Sequence, residues 1–392
     1  MTRPNAVCTN AVLFLVAITL ASGALAHEGH EATAQSKTPH RAGRLAQGDS
    51  TRIHVAQDPG KADRISGQGD LRFRVLYTGD HLPQAAVRVL DKAHGGFAID
   101  RREGRNEVYF ALPGAGIIRL SGDLQHAQML NTDSAMKDEN MHNATVWYRD
   151  NGGAYLSFPA NGVGKVFTTT LDGTLLHTLN TPGKSARFDE PTVDTYFREG
   201  SAFVPTDVDY LDGMFYVSTG YSKLDYVLTA RLTGGSSPKF EWNDLAFGGR
   251  GEGVGQFGTG HGITVSPDRT RVIVSDRLLG KLETFTRYGH YRGTVSLPEG
   301  AWPVDVDFLA GYTIAGCLHG LDRKKGAPIY ILKDGVVVST IWPKEELGLD
   351  TFQHLHDAVL HQVAGKLYII AQTWNPGDFA ILEQVVAGPE RN

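Results

Sequence analysis

The sequence predicts an all-β protein that folds as a six-bladed β-propeller. Short runs of β-branched and aromatic residues, broken by Gly, Asp and Asn, recur along most of the chain. These runs group into six units of similar pattern, and no long helical periodicity competes with them. Gly is abundant, at 46 of 392 residues, as suits a chain with many tight turns. A pair of β-sandwiches is the alternative, but six matched units fit a six-bladed propeller better.

The six units share one order of strands, which the fourth shows most clearly. Its glycine-rich opening is followed by an alternating strand from His261, a second strand that ends in Ser275-Asp276-Arg277, and a third over residues 281–286. The units start at His94, His142, Pro205, Gly255, Pro303 and His356.

The sixth unit lacks a fourth strand of its own. We expect residues 71–77 to supply it and close the ring, because an open ring would leave unpaired sheet edges. The propeller is therefore predicted to span residues 71–392.

The N-terminus is predicted to direct export. Arg3 precedes an apolar run over residues 11–20, and Ala24-Leu25-Ala26 is a small-x-small cleavage pattern, so residues 1–26 are predicted to be a signal peptide. The run is short for a membrane span of about 20 residues, so no span is expected after cleavage. The expected location is secreted or periplasmic. Residues 27–70 are polar and are expected to form a disordered leader.

Charge and cysteine content exclude two classes of function. Lys and Arg number 38 against 43 Asp and Glu, a net charge of −5, and nothing indicates a nucleic-acid partner. Cys8 lies in the predicted signal peptide, so Cys317 stands alone and neither a disulfide nor a thiolate metal cluster is expected. Cys317 is predicted to be a small buried apolar residue.

One position at the start of each unit is predicted to face the central channel, and in alternate units it is histidine. Around the ring this position reads His94, His142, Thr206, His261, Val304 and His356.

Three converging neutral imidazoles are the ligand set of an open catalytic metal site, and they suit Zn²⁺ or another divalent transition metal. The alternative is that histidine is merely a polar residue tolerated beside a wet channel. His94 is expected to line the channel rather than to bind metal. His354 competes with His356, but strand alternation and the following Asp357 favour His356.

The repeats resemble NHL-type propeller repeats, and from about His94 to the C-terminus the set resembles the peptidyl-α-hydroxyglycine α-amidating lyases (peptidylamidoglycolate lyases). The resemblance rests on His-Asn-Ala-Thr-Val at His142, Gly-His-Gly-Ile-Thr-Val at His261 and Leu-His-Asp-Ala-Val at His356. It implies that these three histidines bind zinc. A second arginine of that family is missing from residues 110–114, as are the cysteines of its animal members and an attached monooxygenase domain.

The resemblance also implies roles for a tyrosine and an arginine. Tyr221, in Thr-Gly-Tyr, and Arg277, in Ser-Asp-Arg, match the family's proposed base and the arginine that helps to hold the substrate carboxylate. The alternatives are packing between blades for Tyr221 and a salt bridge to a neighbouring acid such as Asp276 for Arg277. A structural Ca²⁺ is implied at Asp357.

Two backbone carbonyls would complete that calcium site, and the matching positions are Gly96 and Ala144.

The implied chemistry is cleavage of a carbinolamide, R-CO-NH-CH(OH)-COO⁻, into an amide and glyoxylate. A cation held by neutral imidazoles can polarise a hydroxyl, a nearby tyrosine can act as base, and an arginine fits a carboxylate. The expected partner is thus a small-molecule or peptide substrate. One alternative is a non-catalytic NHL-type module that binds a protein or a glycan. Another is a metal-dependent hydrolase such as a lactonase, although propeller lactonases typically use carboxylate and Asn ligands.

Overall fold

Six antiparallel sheets are arranged as a six-bladed β-propeller, as predicted. The structure is a computed structural model that describes residues 50–53, 63–235 and 237–385. The predicted signal peptide, and the parts of the predicted leader at residues 27–49 and 54–62, lie outside the described residues. Within them, no helix is long and apolar enough to cross a membrane.

The blades are numbered in chain order, from the inner strand outward. Blade 1 contains Ala98–Ile99, Val108–Leu112, Gly116–Leu120, His126–Met129 and, at its outer edge, Ser50–Arg52. Blade 2 contains Thr145–Tyr148, Ala154–Ala160, Lys165–Thr170 and Leu175–Asn180. Blade 3 contains Asp207–Leu211, Met214–Ser218, Tyr226–Thr233 and Lys239–Gly248.

Blades 4 to 6 complete the ring. Blade 4 contains Gly260–Val265, Arg271–Asp276, Lys281–Thr286 and Tyr291–Ser296. Blade 5 contains Pro303–Leu309, Tyr312–Cys317, Ile329–Lys333 and Val336–Ile341. Blade 6 contains Leu355–Val363, Lys366–Thr373, Asp378–Gln384, Leu71–Thr78 and Ser66–Gln68.

Short helices lie in the connections between strands. The α-helices are Gln84–Val87, Ser134–Lys137 and Pro191–Arg198, and the 3₁₀ helices are Gly79–His81 and Leu90–Lys92. The helix from Pro191 begins with a proline, whose missing N–H is not needed there, and Glu190 caps it by accepting from the Thr192 N–H.

The ring is closed by the strand that the sequence predicted for this purpose. Leu71–Thr78 pairs antiparallel with Asp378–Gln384, with Thr78 opposite Ala380 and Tyr77 opposite Ile381. Phe73 on this strand is fully buried in the apolar core shared by blades 5 and 6. Blade 6 is thus built from both halves of the chain.

Two short strands correct the predicted extent of the disordered leader. Ser66–Gln68 pairs with Leu71–Thr78, and Ser50–Arg52 pairs with the outer strand of blade 1. Ile53 follows that second strand, is buried, and donates its N–H to the Gln125 carbonyl at 2.8 Å. Periodicity missed both strands because they join the sheets mainly through backbone hydrogen bonds, which a polar sequence also makes.

Buried carboxylates join neighbouring inner strands around the channel. Asp207 accepts from the Ile263 N–H at 2.7 Å, which links blade 3 to blade 4. Asp357 accepts from the Phe97 N–H at 2.8 Å, which links blade 6 to blade 1. Because the inner strands carry few neighbours on the channel side, these bonds fix the position of each strand relative to the next.

We predict that Phe73→Ala lowers the free energy of unfolding by about 3–5 kcal/mol, because it removes a fully buried ring from the closing strand. Chemical denaturation followed by circular dichroism measures this change. The matched control is Val336→Ala, on a 65% exposed side chain, which should change the free energy by less than about 0.5 kcal/mol. Equal effects of the two substitutions would contradict the closing role of this strand.

Candidate metal centre

The three predicted ligand histidines lie together at the start of the inner strands of alternate blades. His142 precedes the inner strand of blade 2, and His261 and His356 are the second residues of Gly260–Val265 and Leu355–Val363. All three are buried. Their ring centroids are 4.9 Å apart for His142 and His261, 4.5 Å for His142 and His356, and 5.3 Å for His261 and His356.

Each of these imidazoles is held by a backbone carbonyl of the next blade. The Nδ1 of His142 lies 2.7 Å from the Thr206 carbonyl, and that of His261 lies 2.8 Å from the Val304 carbonyl. The Nδ1 of His356 lies 2.9 Å from the Gly95 carbonyl. A carbonyl only accepts, so each Nδ1 carries the hydrogen and each Nε2 keeps its lone pair. This is the outer hydrogen bond that orients metal-binding histidines.

The nitrogen atoms also fit the size of a metal site. The Nε2 atoms of His142 and His356 are 3.2 Å apart. In a tetrahedral zinc site with Zn–N bonds of about 2.0–2.1 Å, two nitrogen ligands are separated by roughly 3.3 Å. The separation of this pair therefore matches that of two histidines bound to one ion.

Burial keeps the imidazoles neutral. It lowers the pKa of His142, His261 and His356 well below the ordinary value, and the nearby Arg277 guanidinium lowers each pKa further. Neutral imidazole is the form that binds metal. The pocket therefore presents lone pairs at neutral pH without first releasing protons.

Tyr221 places its hydroxyl beside the Nε2 atoms of two of the imidazoles. This oxygen lies 2.9 Å from the Nε2 of His261 and 3.2 Å from the Nε2 of His142. Arg277 donates to it from Nη1 at 3.0 Å. Burial raises the pKa of Tyr221, and the Arg277 charge opposes that rise. The position of the hydroxyl shows that Tyr221 is not simply packed between blades.

Arg277 faces Tyr221 rather than a carboxylate. Its Cζ lies 5.1 Å from the centre of the Tyr221 ring. The neighbouring Asp276 instead accepts from the backbone N–H groups of Gly258 and Thr259 at 3.1 Å. Among the ion pairs of the described residues, none involves Arg277. Its charge is therefore available to an anionic ligand.

His94 joins the cluster but differs in its hydrogen bonds. His94, His142 and His356 each offer a ligand nitrogen, and these atoms all lie within 4.8 Å of one another. The Nδ1 of His94 accepts from the Asn140 amide at 3.0 Å, which leaves the hydrogen on Nε2. His94 also stacks on Trp374, with ring centroids 5.1 Å apart.

The channel-facing position predicted for blade 1 is wrong by one residue. Gly95, not His94, supplies the carbonyl that corresponds to those of Thr206 and Val304. The inner strand of blade 1 is only Ala98–Ile99, so the repeat pattern is weakest here. The sequence also gave no indication of Asn140 and Trp374, which reach the cluster from outside the inner strands.

Asp357 directly follows His356 in the chain, and its carboxylate is buried. Its oxygens accept from the Phe97 and Ala358 N–H groups at 2.8 and 2.7 Å. Burial raises its pKa well above the ordinary value, and the Asp305 carboxylate raises it further. A Cβ on Gly96 would lie 1.6 Å from Asn143 Oδ1 and 2.9 Å from Asp357 Oδ2, so both oxygens border one small space.

His354 lies apart from the three anchored imidazoles. Its ring packs against His319, at 4.7 Å between centroids, rather than sharing the hydrogen-bond pattern of His356. Cys317 is buried, as predicted, and burial raises its thiol pKa.

Known proteins resemble this chain only distantly. No protein-family model matches it, and no curated protein matches its sequence. A streptogramin B lyase structure is 11% identical, covers 82% of this chain and 99% of its own, and has a TM-score of 0.46.

Two further structures are similar to the same extent. Virginiamycin B lyase from Staphylococcus aureus is 10% identical over 75% of this chain and 96% of its own, with a TM-score of 0.41. A chain of the Mitotic Checkpoint Complex is 10% identical over 94% of this chain and 100% of its own, with a TM-score of 0.43. A fold does not by itself specify a function, so function has to be argued from the site.

We predict that three of the four clustered histidines share one tautomer and that the fourth has the other, in metal-free protein at about pH 7.5. His142, His261 and His356 should carry hydrogen on Nδ1, and His94 should carry it on Nε2. Two-bond ¹⁵N–¹H correlation spectra distinguish the two forms, with peaks assigned by single His→Gln variants. A shared tautomer for all four histidines would contradict the assignment of lone pairs.

Proposed function

We propose that this chain is a metal-dependent lyase that cleaves a carbinolamide of the peptidyl-α-hydroxyglycine type into an amide and glyoxylate. The position of the Tyr221 hydroxyl carries the proposal. That one oxygen contacts the metal-facing nitrogens of His142 and His261 and the guanidinium of Arg277. The oxygen of the proposed base thus lies within hydrogen-bonding distance of both the proposed metal ligands and the proposed anion-binding group.

The residues that fit the metal are His142, His261 and His356. Their tautomers, their neutral state and the 3.2 Å nitrogen separation of one pair suit Zn²⁺ or another divalent transition metal. Such an ion, when bound, supplies Lewis acidity that lowers the pKa of a substrate hydroxyl. His94 would line the same pocket, with its Nε2–H as a donor.

Tyr221 and Arg277 would bind and activate the substrate. The Arg277 fork would hold the substrate carboxylate, because no acidic side chain among the described residues is paired with it. Burial raises the pKa of Tyr221, and the Arg277 guanidinium and a bound cation would oppose that rise, so that Tyr221 would accept the proton of the carbinol hydroxyl.

The proposed reaction balances without a co-reactant. As the O–H proton moves to Tyr221, the oxygen electrons form the new C=O bond of glyoxylate and the C–N bond breaks. The amide nitrogen keeps the bonding pair and takes up a proton, which protonated Tyr221 would return. The products are R-CO-NH₂ and OHC-COO⁻, so no water is consumed.

We further propose that Asp357 binds a structural Ca²⁺. The support is chemical: Asn143 Oδ1 is buried without a hydrogen-bond partner beside Asp357 Oδ2. The Asp305 carboxylate, which accepts from the Asn143 amide at 3.0 Å, adds further oxygen atoms nearby. Oxygen atoms gathered in this way are the ligands that calcium takes. The carbonyls of Gly96 and Ala144 remain the matching positions for completing the site.

We also propose that the protein is exported to the periplasm or secreted, on the strength of the signal-peptide pattern in residues 1–26.

We predict that His261→Ala protein loses its bound transition metal, whereas His94→Ala protein keeps about one ion per chain. His261 offers a lone pair fixed by the Val304 carbonyl, and His94 offers an N–H. Elemental analysis after exhaustive dialysis measures the metal. Full metal in His261→Ala would exclude that ligand, and a wild-type protein without stoichiometric transition metal would favour a non-catalytic binding module.

We predict that the wild-type protein releases glyoxylate from a peptidyl-α-hydroxyglycine and that Tyr221→Phe lowers kcat by roughly 10²- to 10⁴-fold, as loss of a general base does. The phenylalanine keeps the ring that Arg277 covers, so KM should change little. Metal analysis of the variant is the control, since its ion content should match the wild type. No release above the background rate by the metal-loaded wild type would rule out the lyase activity.

A further inference from the structure

Four aromatic side chains continue from the metal centre along the same face of the ring. We call them the aromatic arc, and they are Trp302, His319, His354 and Trp374. Trp302 and His354 immediately precede the inner strands of blades 5 and 6, and Trp374 follows the second strand of blade 6. The arc therefore stands at the strand ends where the channel imidazoles lie.

The rings of the arc are in continuous contact. Centroid distances are 5.2 Å from Trp302 to His319, 4.7 Å from His319 to His354, and 6.3 Å from His354 to Trp374. Trp374 then stacks on His94 with an interplanar angle of 26°. His94 is 4.5 Å from His356, so one ring separates the arc from the proposed ligands.

The backbone holds the arc rigidly in place. The Trp302 N–H donates to the His319 carbonyl at 3.0 Å, and the Leu318 N–H donates to the Trp302 carbonyl at 2.7 Å. The Trp374 N–H donates to the His354 carbonyl at 2.9 Å. These bonds extend the inner hairpins of both blades beyond the sheets. Aromatic rings on paired backbone lose little freedom when a ligand packs against them.

The arc presents an exposed aromatic face at Trp374. Trp374 is 37% exposed although one of its faces is stacked on His94. Burial, together with His354, Arg323 and Arg277, lowers the pKa of His319 to about 4, so this ring is neutral at pH 7. Arg323 covers Trp302 at 4.2 Å and closes the far end. The surface left uncovered is an aromatic one beside the proposed reaction centre.

We propose that the aromatic arc is the subsite for the acyl group of the substrate and selects acyl groups that carry an aromatic ring. The inference rests on the proposed lyase function. Arg277, which would hold the carboxylate, contacts Tyr221, and Tyr221 lies against His142 and His261. Trp374 stacks on His94, which lies against His142 and His356, so an acyl group that extends across the imidazoles from the carboxylate reaches Trp374. An aromatic acyl group in that direction meets the exposed face of Trp374, where offset stacking stabilises it.

Two substrates that differ only in the acyl group test the subsite. N-benzoyl-α-hydroxyglycine and N-acetyl-α-hydroxyglycine carry the same reacting carbon and carboxylate. The wild-type kcat/KM for the benzoyl substrate should exceed that for the acetyl substrate by roughly three- to tenfold or more, the range that one aromatic stacking contact supplies. Trp374→Ala should bring the ratio of the two kcat/KM values close to one, and Trp374→Phe should restore part of the preference.

The matched control is Trp242→Ala in blade 3, whose indole donates to the Asn180 carbonyl and packs on Phe203, away from the arc. It should keep the benzoyl preference. A preference that survives Trp374→Ala unchanged, or that Trp242→Ala removes equally, overturns the subsite.

Binding of unreactive ligands separates failure of the subsite from failure of the proposed reaction. If the wild type releases glyoxylate from neither substrate, the lyase proposal fails. Calorimetry with N-benzoylglycine and N-acetylglycine, which lack the carbinol hydroxyl, then decides the subsite alone. Tighter binding of N-benzoylglycine to the wild type, lost in Trp374→Ala, supports the arc. Equal affinities for the two ligands, or no binding of either, overturn it.

Discussion

The hydrogen bond between each channel imidazole and a carbonyl of the following blade is the constraint on which the site depends. It occurs three times, from His142 to Thr206, from His261 to Val304 and from His356 to Gly95. In each pair one blade supplies the ring and the next supplies the acceptor. The direction of every Nε2 lone pair is therefore set by the spacing between blades, and no single blade could form the site.

This arrangement makes closure of the ring a condition for chemistry. Blade 6 supplies His356, and its sheet is completed by Leu71–Thr78. The bond from Asp357 to the Phe97 N–H then joins blade 6 to blade 1, whose Gly95 carbonyl orients His356. A shift of the closing strand would move that carbonyl and turn the imidazole. The position of the closing strand therefore affects the direction of the His356 Nε2 lone pair through these two hydrogen bonds.

The sequence predicted what repeats and missed what does not. The three alternate histidines were singled out because they hold one position in a periodic pattern. Tyr221 and Arg277 were singled out only by the resemblance of short motifs to those of a known family. The register of blade 1 was wrong by one residue, since its inner strand is only Ala98–Ile99. Trp374 was missed because it contacts His94 between the connections of two blades, and the repeat pattern of the strands does not predict such contacts. The strand Ser50–Arg52 was missed because it lacks apolar alternation.

The pairing of Arg74 with Glu383 has a consequence for how the molecule is made. These residues lie 309 positions apart, yet they belong to adjacent strands of one sheet. Contacts of such separation form late, since the loop they close is nearly the whole domain. A nascent chain would carry five potential sheets and an incomplete sixth until Asp378–Gln384 left the ribosome. A chain that ended before this strand would form an open ring with an unpaired strand edge. Such an edge is prone to aggregation and is recognised by chaperones and proteases.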